Sequence, residues 1–353
     1  MSPNGRTSEA RAATVSLLAP GQESEWDAFV RSAPAATFCH LSGWKRVIES
    51  VFGHRCYYLV AHRAAEPVGV LPLTHVRTRL FGNFLVSTAF CVYGGPVAVD
   101  DAARGALDTE AVRIAEELDA EYLEFRSEVP SHPDWLCKDG VYATFRKPIA
   151  PDLETNMKAI PRKQRAMVRK GIAAGLTSEL DTEVDRLHRI YAESVRNLGT
   201  PVFPKSLFRA LRQEFGAACD IVTIVRGREA LASVMNFYFR DQVLPYYGGG
   251  TRDARAAAAN DFMYWEVMRR ACERGFRVFD FGRSKVGTGA YDFKRYWGFE
   301  PTPLVYEYKL VSATSLPDKS PLNPKYRLFI EMWKRLPIPV ANLLGPVIVR
   351  GTG

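Results

Sequence analysis

The chain has 353 residues, of which 47% are hydrophobic and 24% charged, with a formal net charge of +8. That length predicts about two globular domains, and the composition excludes a fibrous or disordered chain. Six cysteines (Cys39, Cys56, Cys91, Cys137, Cys219 and Cys272) include no CxxC pair, which argues against a zinc site or disulfide framework and for a reducing compartment. The positive balance favours anionic partners such as phosphates, nucleotides, tRNA or an acidic membrane face.

The N-terminal residues carry no apolar run of signal-peptide length, and no stretch reaches the ~18 apolar residues of a spanning helix, so a cytoplasmic protein is expected. Residues 1–13 are polar. Trp26–Val30 and Leu41–Val51 have helical spacing, with Ser42 as the expected N-cap of the second. Tyr57–Ala61 and Val68–His75 read as strands across an Arg-Ala-Ala-Glu turn. Phe84–Val99 is β-rich and broken by Gly94-Gly95-Pro96; Asp101–Leu118 is an amphipathic helix and Tyr122–Arg126 a strand. Pro148, Pro151 and Asp152 mark a boundary, after which Asn156–Ala174 forms a basic helical segment.

The same order then returns. Pro204–Phe215 reads as a helix, and Asp220–Val225, Ala230–Phe239 and Val243–Tyr247 as a meander. Asn260 or Asp261 is expected to cap a helix striped by Tyr264, Trp265, Met268, Ala271 and Cys272, and Gly275 to stop it. Phe276–Phe281 follows, apolar on both faces as a parallel strand inside a sheet would be. Tyr93-Gly94-Gly95 and Tyr247-Gly248-Gly249 lie 154 positions apart, and Glu124 and Asp280 lie 156 apart. This near-constant offset predicts one α/β unit used twice.

In the tail, Tyr326, Phe329, Ile330 and Trp333 form a stripe among Lys325, Arg327, Lys334 and Arg335, followed by apolar Ile338–Val349. This segment reads either as a basic amphipathic foot on an anionic membrane or as a terminal helix packed on the first domain.

Nucleophile, zincin, P-loop and dinucleotide signatures are all missing, and the six histidines are dispersed. Chemistry-bearing residues concentrate in Phe276–Phe299. Direct acyl transfer to an amine needs two substrates in attack geometry, a positive group at the carbonyl oxygen and a route for the lost proton. Lys294 is the candidate for the oxyanion, Asp292 or Asp280 for proton or orientation work, and Arg283 for an anionic substrate group. Ser284, Phe293, Arg295, Tyr291, Trp297, Tyr247 and Tyr93 are candidate substrate contacts. Gly287 and Gly289 could bring backbone N–H groups to phosphate oxygens, and Arg162, Lys163, Arg165 and Arg169 form either an anion site or a solvated helix face.

The duplicated halves, Phe279-Asp280-Phe281-Gly282-Arg283-Ser284, the block Phe293-Lys294-x-x-Trp297-Gly298 and the basic Pro161-Arg162-Lys163-x-Arg165 segment together resemble the FemAB-like branch of the GNAT acyltransferases. Within that branch the tail (Asn323-Pro324-Lys325-Tyr326, Trp333-Lys334-Arg335-Leu336-Pro337, Ala341-Asn342-x-x-Gly345-Pro346) is most similar to proteins associated with exosortase/PEP-CTERM exopolysaccharide systems. The resemblance implies an α/β (α+β) fold of two tandem GNAT-like domains, each a mixed, mainly antiparallel sheet flanked by helices. The expected first domain is 1–150, degenerate and acceptor-binding. The second, 151–310, would hold the reacting centre and open with a basic helix at 156–174; the tail, 311–353, would pack back on the first.

The resemblance places Lys294 at the reacting carbonyl with Phe293 beside it. It implies acyl-CoA or aminoacyl-tRNA as donor substrate, no tightly bound cofactor and no metal. Expected partners are an anionic donor or sugar precursor, tRNA, and peripheral contact with the inner membrane, without DNA. The missing coiled-coil arm counts against a tRNA-borne donor, and Ser284 in place of the usual leading Arg or Gln counts against a standard CoA loop. A non-catalytic binding or assembly factor for anionic lipid-linked polysaccharide precursors is the alternative reading, and general RNA binding rests on net charge alone.

Overall fold

The structure, a computed structural model, describes residues 13–316 and 324–353, with side chains for all of these except 324–327. The first half runs β1 (Thr14–Leu17), α1 (Glu23–Ser32), α2 (Gly43–Phe52), β2 (Arg55–Arg63), β3 (Glu66–Thr78), β4 (Gly82–Ser87), β5 (Val97–Ala98), α3 (Asp101–Glu117), β6 (Tyr122–Phe125) and β7 (Leu136–Pro148). The second half opens with α4 (Leu153–Ala159), α5 (Arg162–Ala173), β8 (Thr177–Leu180), α6 (Asp185–Leu198) and α7 (Lys205–Phe215). It continues with β9 (Cys219–Arg226), β10 (Glu229–Phe239), β11 (Gln242–Gly250), α8 (Ala259–Glu273), β12 (Val278–Lys285), α9 (Gly289–Tyr296) and β13 (Pro301–Leu310). Two helices, α10 (Pro324–Trp333) and α11 (Ile338–Val349), close the chain.

The strands form one sheet in the order β1-β2-β3-β4-β6-β13-β7-β12-β11-β10-β9-β8, with β5 beside β3. The order is pseudo-symmetric about its centre. Each half is an antiparallel meander followed by one parallel neighbour, β4 with β6 and β11 with β12. The two last strands cross over: β7 leaves β6 to pair with β12, and β13 leaves β12 to pair with β6. β7 and β13 then pair with each other, antiparallel. The chain boundary near residue 150 therefore does not divide the sheet, because each half is completed by the other's final strand.

Local sequence accounts for most element ends. Pro161 pushes the preceding Ile160 into extended backbone, so the basic segment expected over 156–174 is two helices, α4 and α5. Asp100 caps α3 by accepting from the N–H of Ala103. The expected caps Ser42 and Asn260/Asp261 do not act in this way. Ser42 is itself helical and makes no cap bond, and α8 begins from Ala258, held at φ +57°.

One apolar core is shared by the halves. Phe38 stacks on Phe237 at 4.4 Å between ring centres, with Trp44 and Phe215 against them. Such aromatic pairs contribute about 0.5–1.5 kcal/mol each beyond area burial. Separate clusters lie under α3 in the first half and under α5 and α8 in the second. The first half also contains a buried ionic clamp. His132 Nε2 lies 3.0 Å from Asp108 of α3 and Nδ1 lies 3.1 Å from Glu307 of β13, whose side chain is fully buried. Glu307 accepts the backbone N–H groups of Ser131 and His132 as well.

Candidate active site

In both halves the parallel pair of strands decides what lies above it. β11 and β12 are paired only at Gln242–Val278 and Val243–Phe279. Just beyond, Pro245 faces Asn236 and Tyr247 faces Met235, so Tyr246 is an extra residue, a β-bulge in β11. Pro245 has no N–H for the ladder and favours such a break. The carboxyl ends of the two parallel strands thus separate, which is where ligands collect in α/β sheets. The matching gap between β4 and β6 is stitched shut. Arg126 N–H donates to Ser87 Oγ at 2.8 Å, and Gly94 N–H donates to the Arg126 carbonyl at 2.9 Å. A side chain at Gly94 would begin only 2.7 Å from the Ser87 carbonyl oxygen, so glycine is required there.

Asp280 anchors the open copy. Its carboxylate accepts the N–H of Gly282 at 2.6 Å and the Nε of Arg146 at 2.7 Å. The Tyr93 hydroxyl lies 3.3 Å from it and also hydrogen-bonds Thr144. Gly282 takes φ +65°, and the β12–β7 register shifts between Asp280 and Arg283. Burial and the Asp280 charge hold the Tyr93 phenol well above its usual range. Asp280 is therefore an occupied anion that shapes the irregular end of β12.

Lys294 closes the same turn from α9, whose first turn is capped by the Thr288 side chain. Its ammonium donates to the carbonyls of Phe281 (2.7 Å), Gly282 (3.0 Å) and Arg283 (3.1 Å). An ammonium has three donors, and all three are engaged. Burial pushes its pKa down to about 7, against the raising effect of Asp280 and with a further lowering from Arg283. A developing oxyanion at this point would meet a desolvated cation and would take one donor from a carbonyl.

Arg283 stands beside it. Its guanidinium donates to the Tyr306 hydroxyl at 2.8 Å and lies 4.5 Å from the centre of the Tyr142 ring. Tyr306 donates in turn to the Val92 carbonyl at 2.7 Å. Among the described residues Arg283 meets phenols and no carboxylate, whereas buried Arg126, its counterpart in the first half, is held by Glu124 at 2.8 Å. A guanidinium so placed has bidentate capacity left for an anionic group.

The other candidates are distributed unevenly. Tyr291 packs on Phe145 and Phe293 on Tyr264, both half-buried at the edge of α9, and Ser284 is buried at the end of β12. Arg295 is exposed over Tyr291. Asp292 is two residues from Lys294 on one helix, a spacing that sends the side chains to different faces, so it does not accompany the lysine. Trp297, expected at the substrate, is instead core: it is wholly buried and donates its Nε1 to Asp261 at 3.0 Å. Tyr247 is buried among Tyr191, Phe203 and Phe208, with its hydroxyl unpartnered.

Gly287 is exposed in the β12–α9 connection at φ +75°, and Gly289 is exposed at the first position of α9. The connection that leaves the bulged strand directly is 251–258, which carries Arg252 and Arg255 and ends at Ala258. Sequence reading passed over that loop and over Tyr246; Pro245 inside a strand was the available signal. Arg146 and Tyr306 were also missed, because β7 and β13 carry no simple alternation.

The basic patch adjoins α9. Arg162, Lys163 and Arg169 are exposed and Arg165 half-buried, and none of the four makes an ion pair among the described residues. Lys163 Nζ sits 5.8 Å from the Tyr296 ring centre, and a side chain at Gly298 would lie 3.1 Å from Pro161. The inner face of α5 is fixed by Gly171 against Phe262. Among the described residues no group of three or more His, Cys, Asp or Glu could hold a metal.

This architecture, two halves with a parallel pair of strands in each and an exchanged final strand, is the tandem GNAT fold. Residues 156–295 match the family model of the acetyltransferase (GNAT) domain, which covers the bulge, Arg283 and Lys294. The solved structure of FemX superposes with a TM-score of 0.65 at 15% identity, covering 90% of this chain and 100% of that one. A tandem GNAT protein from the clavulanic acid biosynthesis pathway gives 0.51 at 13%, covering 86% and 100%. L-PGS from Bacillus licheniformis gives 0.51 at 12%, covering 89% and 97%. At these identities the likeness is one of fold. No curated protein matches the chain by sequence.

Proposed function

We propose that this chain is an N-acyltransferase or aminoacyltransferase that acts on an amine of a cell-envelope or exopolysaccharide precursor. The observation that carries the reading is the pairing of Lys294 and Arg283 at the open end of β11 and β12, inside the segment matched as an acetyltransferase domain. The acceptor amine attacks the donor's acyl carbon directly, and the carbonyl oxygen gains charge beside Lys294. The carbon–carrier bond breaks as the amide forms, the departing sulfur or oxygen taking up the proton that the amine gives up. No enzyme nucleophile is required. Asp280, held by Arg146 and Gly282, keeps the turn in shape. Arg283 orients an anionic group of a substrate.

The donor is an acyl-CoA or an aminoacyl-tRNA, and its phosphates meet Arg162, Lys163, Arg165 and Arg169, with Gly287, Gly289 and the 251–258 loop nearer the reacting centre. The first half and the cleft between the halves take the acceptor. The setting is cytoplasmic with peripheral contact at the inner membrane, in keeping with the likeness of the tail to exosortase/PEP-CTERM-associated proteins. A second reading, a binding or assembly factor for anionic lipid-linked sugars, is favoured by one observation: every donor of Lys294 is already engaged by the protein.

Native mass spectrometry of small molecules retained by the purified chain, followed by transfer assays with the acyl-CoA or aminoacyl-tRNA so indicated, separates the two. Transfer lost in Lys294→Ala with ligand retention intact supports the enzyme. Equal behaviour of the two proteins, with no transfer by either, rejects it.

A further inference from the structure

The last helix is apolar on both sides, and only one side is used. Ala341, Gly345 and Val349 of α11 are buried. Gly345 rests on residue 202 so closely that an added side chain would lie 2.8 Å from the Val202 backbone. On the opposite side Val340, Leu343, Leu344 and Val347 follow the i, i+3, i+4, i+7 spacing of one helix face. Leu343 and Val347 are each 75% exposed, Leu344 43% and Val340 39%. Nothing among the described residues covers them. Scattered exposed leucines are ordinary, but four on a single face of one helix form an interaction surface.

We propose that the outer face of α11 docks on an anionic lipid bilayer, with the helix lying in the plane of the surface. Two observations favour a bilayer. Lys334 is paired with Glu331 at 2.8 Å, and beyond that pair the chain carries Arg335 and Arg350 and no acidic residue, so one cation stands before and one after the apolar face. The 12 residues of α11 span about 18 Å, too short for the ~30 Å hydrocarbon core, which fits a helix that lies on the membrane. A second copy is the poorer occupant, because a twofold contact would bring the same Arg335 and Arg350 rims together.

The docking face also has a mechanical link to the candidate site. Val202, which carries Gly345, precedes Phe203, whose ring packs on Tyr247 at 5.6 Å and on Phe90 at 6.0 Å. A bilayer under α11 would thus lie behind the aromatic wall of the bulged strand. This deepens the proposed function by giving a lipid-linked acceptor a place from which to enter. The docking itself does not depend on transfer, so a binding readout tests it separately.

The test is cosedimentation of the full chain with vesicles of phosphatidylcholine, with and without phosphatidylglycerol, beside the variants Leu343→Glu/Val347→Glu and Arg335→Gln/Arg350→Gln. Circular dichroism melts confirm that each variant folds. The expected result is binding to the phosphatidylglycerol vesicles, weakened at least tenfold by the double glutamate variant and several-fold by the double glutamine variant. Transfer activity measured with a soluble acceptor should remain unchanged. Absence of binding to either vesicle would overturn the proposal. So would a dimer in light scattering that the glutamate variant dissociates.

Discussion

Arg146 on β7 and Asp280 on β12 stand opposite each other in the antiparallel register, with Nε 2.7 Å from the carboxylate. The pair joins the last strand of the first half to the strand that carries the open end of the second. At the related place in the first half, Glu124 faces Tyr308 and takes its guanidinium from Arg126, the residue just past its own strand. Of these two equivalent carboxylates, only Asp280 takes its guanidinium from the other half.

Breaking that contact should loosen both halves. Asp280 is fully buried, so Asp280→Asn is expected to cost about 3 kcal/mol, the lower end for an uncompensated buried partner. In a double-mutant cycle with Arg146→Met, measured by chemical denaturation, the two costs should be markedly non-additive. Strict additivity would show that the pair is not a unit.

Lys294 titrates near 7 in the folded chain against 10.5 for the ordinary side chain. Below about pH 7 both folded and unfolded forms hold the proton, so stability is flat. Between there and 10.5 only the unfolded form holds it, so this group makes the fold more stable as pH rises. Transfer that uses the ammonium should run the other way, falling about tenfold per pH unit above 7. In Lys294→Arg that fall should disappear. A rate that climbs through pH 7 would instead assign the neutral amine as a base.

Trp297 should behave as core. Trp297→Ala is expected to lose about 3–5 kcal/mol, with Asp261 left only the long hydrogen bond from Gln164, while ligand affinity at a temperature where the variant is folded stays within twofold. Isothermal titration against the ligand recovered from the native protein is the measurement. A selective loss of affinity would return Trp297 to the substrate.

His132, held by Asp108 and Glu307, is raised to about 9 from 6.5. Its contribution is present in full below pH 6.5 and is lost as pH rises through 9, a change of up to about 3 kcal/mol. His132→Phe should flatten that part of the stability curve, and an unaltered curve would remove the clamp from the account.

Neutralising Arg162, Arg165 and Arg169 to Gln should weaken binding of a phosphate-bearing donor and reduce its salt dependence, because these cations have no acidic partners to lose among the described residues. Melting temperature should barely move. If affinity and salt slope are both unchanged, α5 is a solvated face.

Much of the architecture was legible along the chain. The recurrence of Tyr93-Gly94-Gly95 and Glu124 at Tyr247-Gly248-Gly249 and Asp280 marked two copies. The folded halves carry Glu124 and Asp280 on matching strands, β6 and β12, whereas Tyr93-Gly94-Gly95 lies in the connection after β4 and Tyr247-Gly248-Gly249 within β11. Lys294 and Arg283 stood out as cations among aromatics, and both lie at the irregular end of β12. Asp292 and Trp297 read equally well from the same block, yet helix geometry turns one away and burial claims the other. Local composition cannot distinguish an aromatic that lines a cleft from one that fills a core.

By itself, the sequence determined the duplication, the helical and strand periods and the cluster of chemistry-bearing residues at 276–299, because periodicity, turn residues and charge density act over a few neighbouring positions. Tertiary structure alone decided that β7 and β13 change places, that Arg146 rather than any neighbour holds Asp280, and that the gap above β4 and β6 is closed while that above β11 and β12 is open. Those outcomes depend on which distant backbone groups find partners and which polar atoms lose water, and no spacing along the chain encodes that competition.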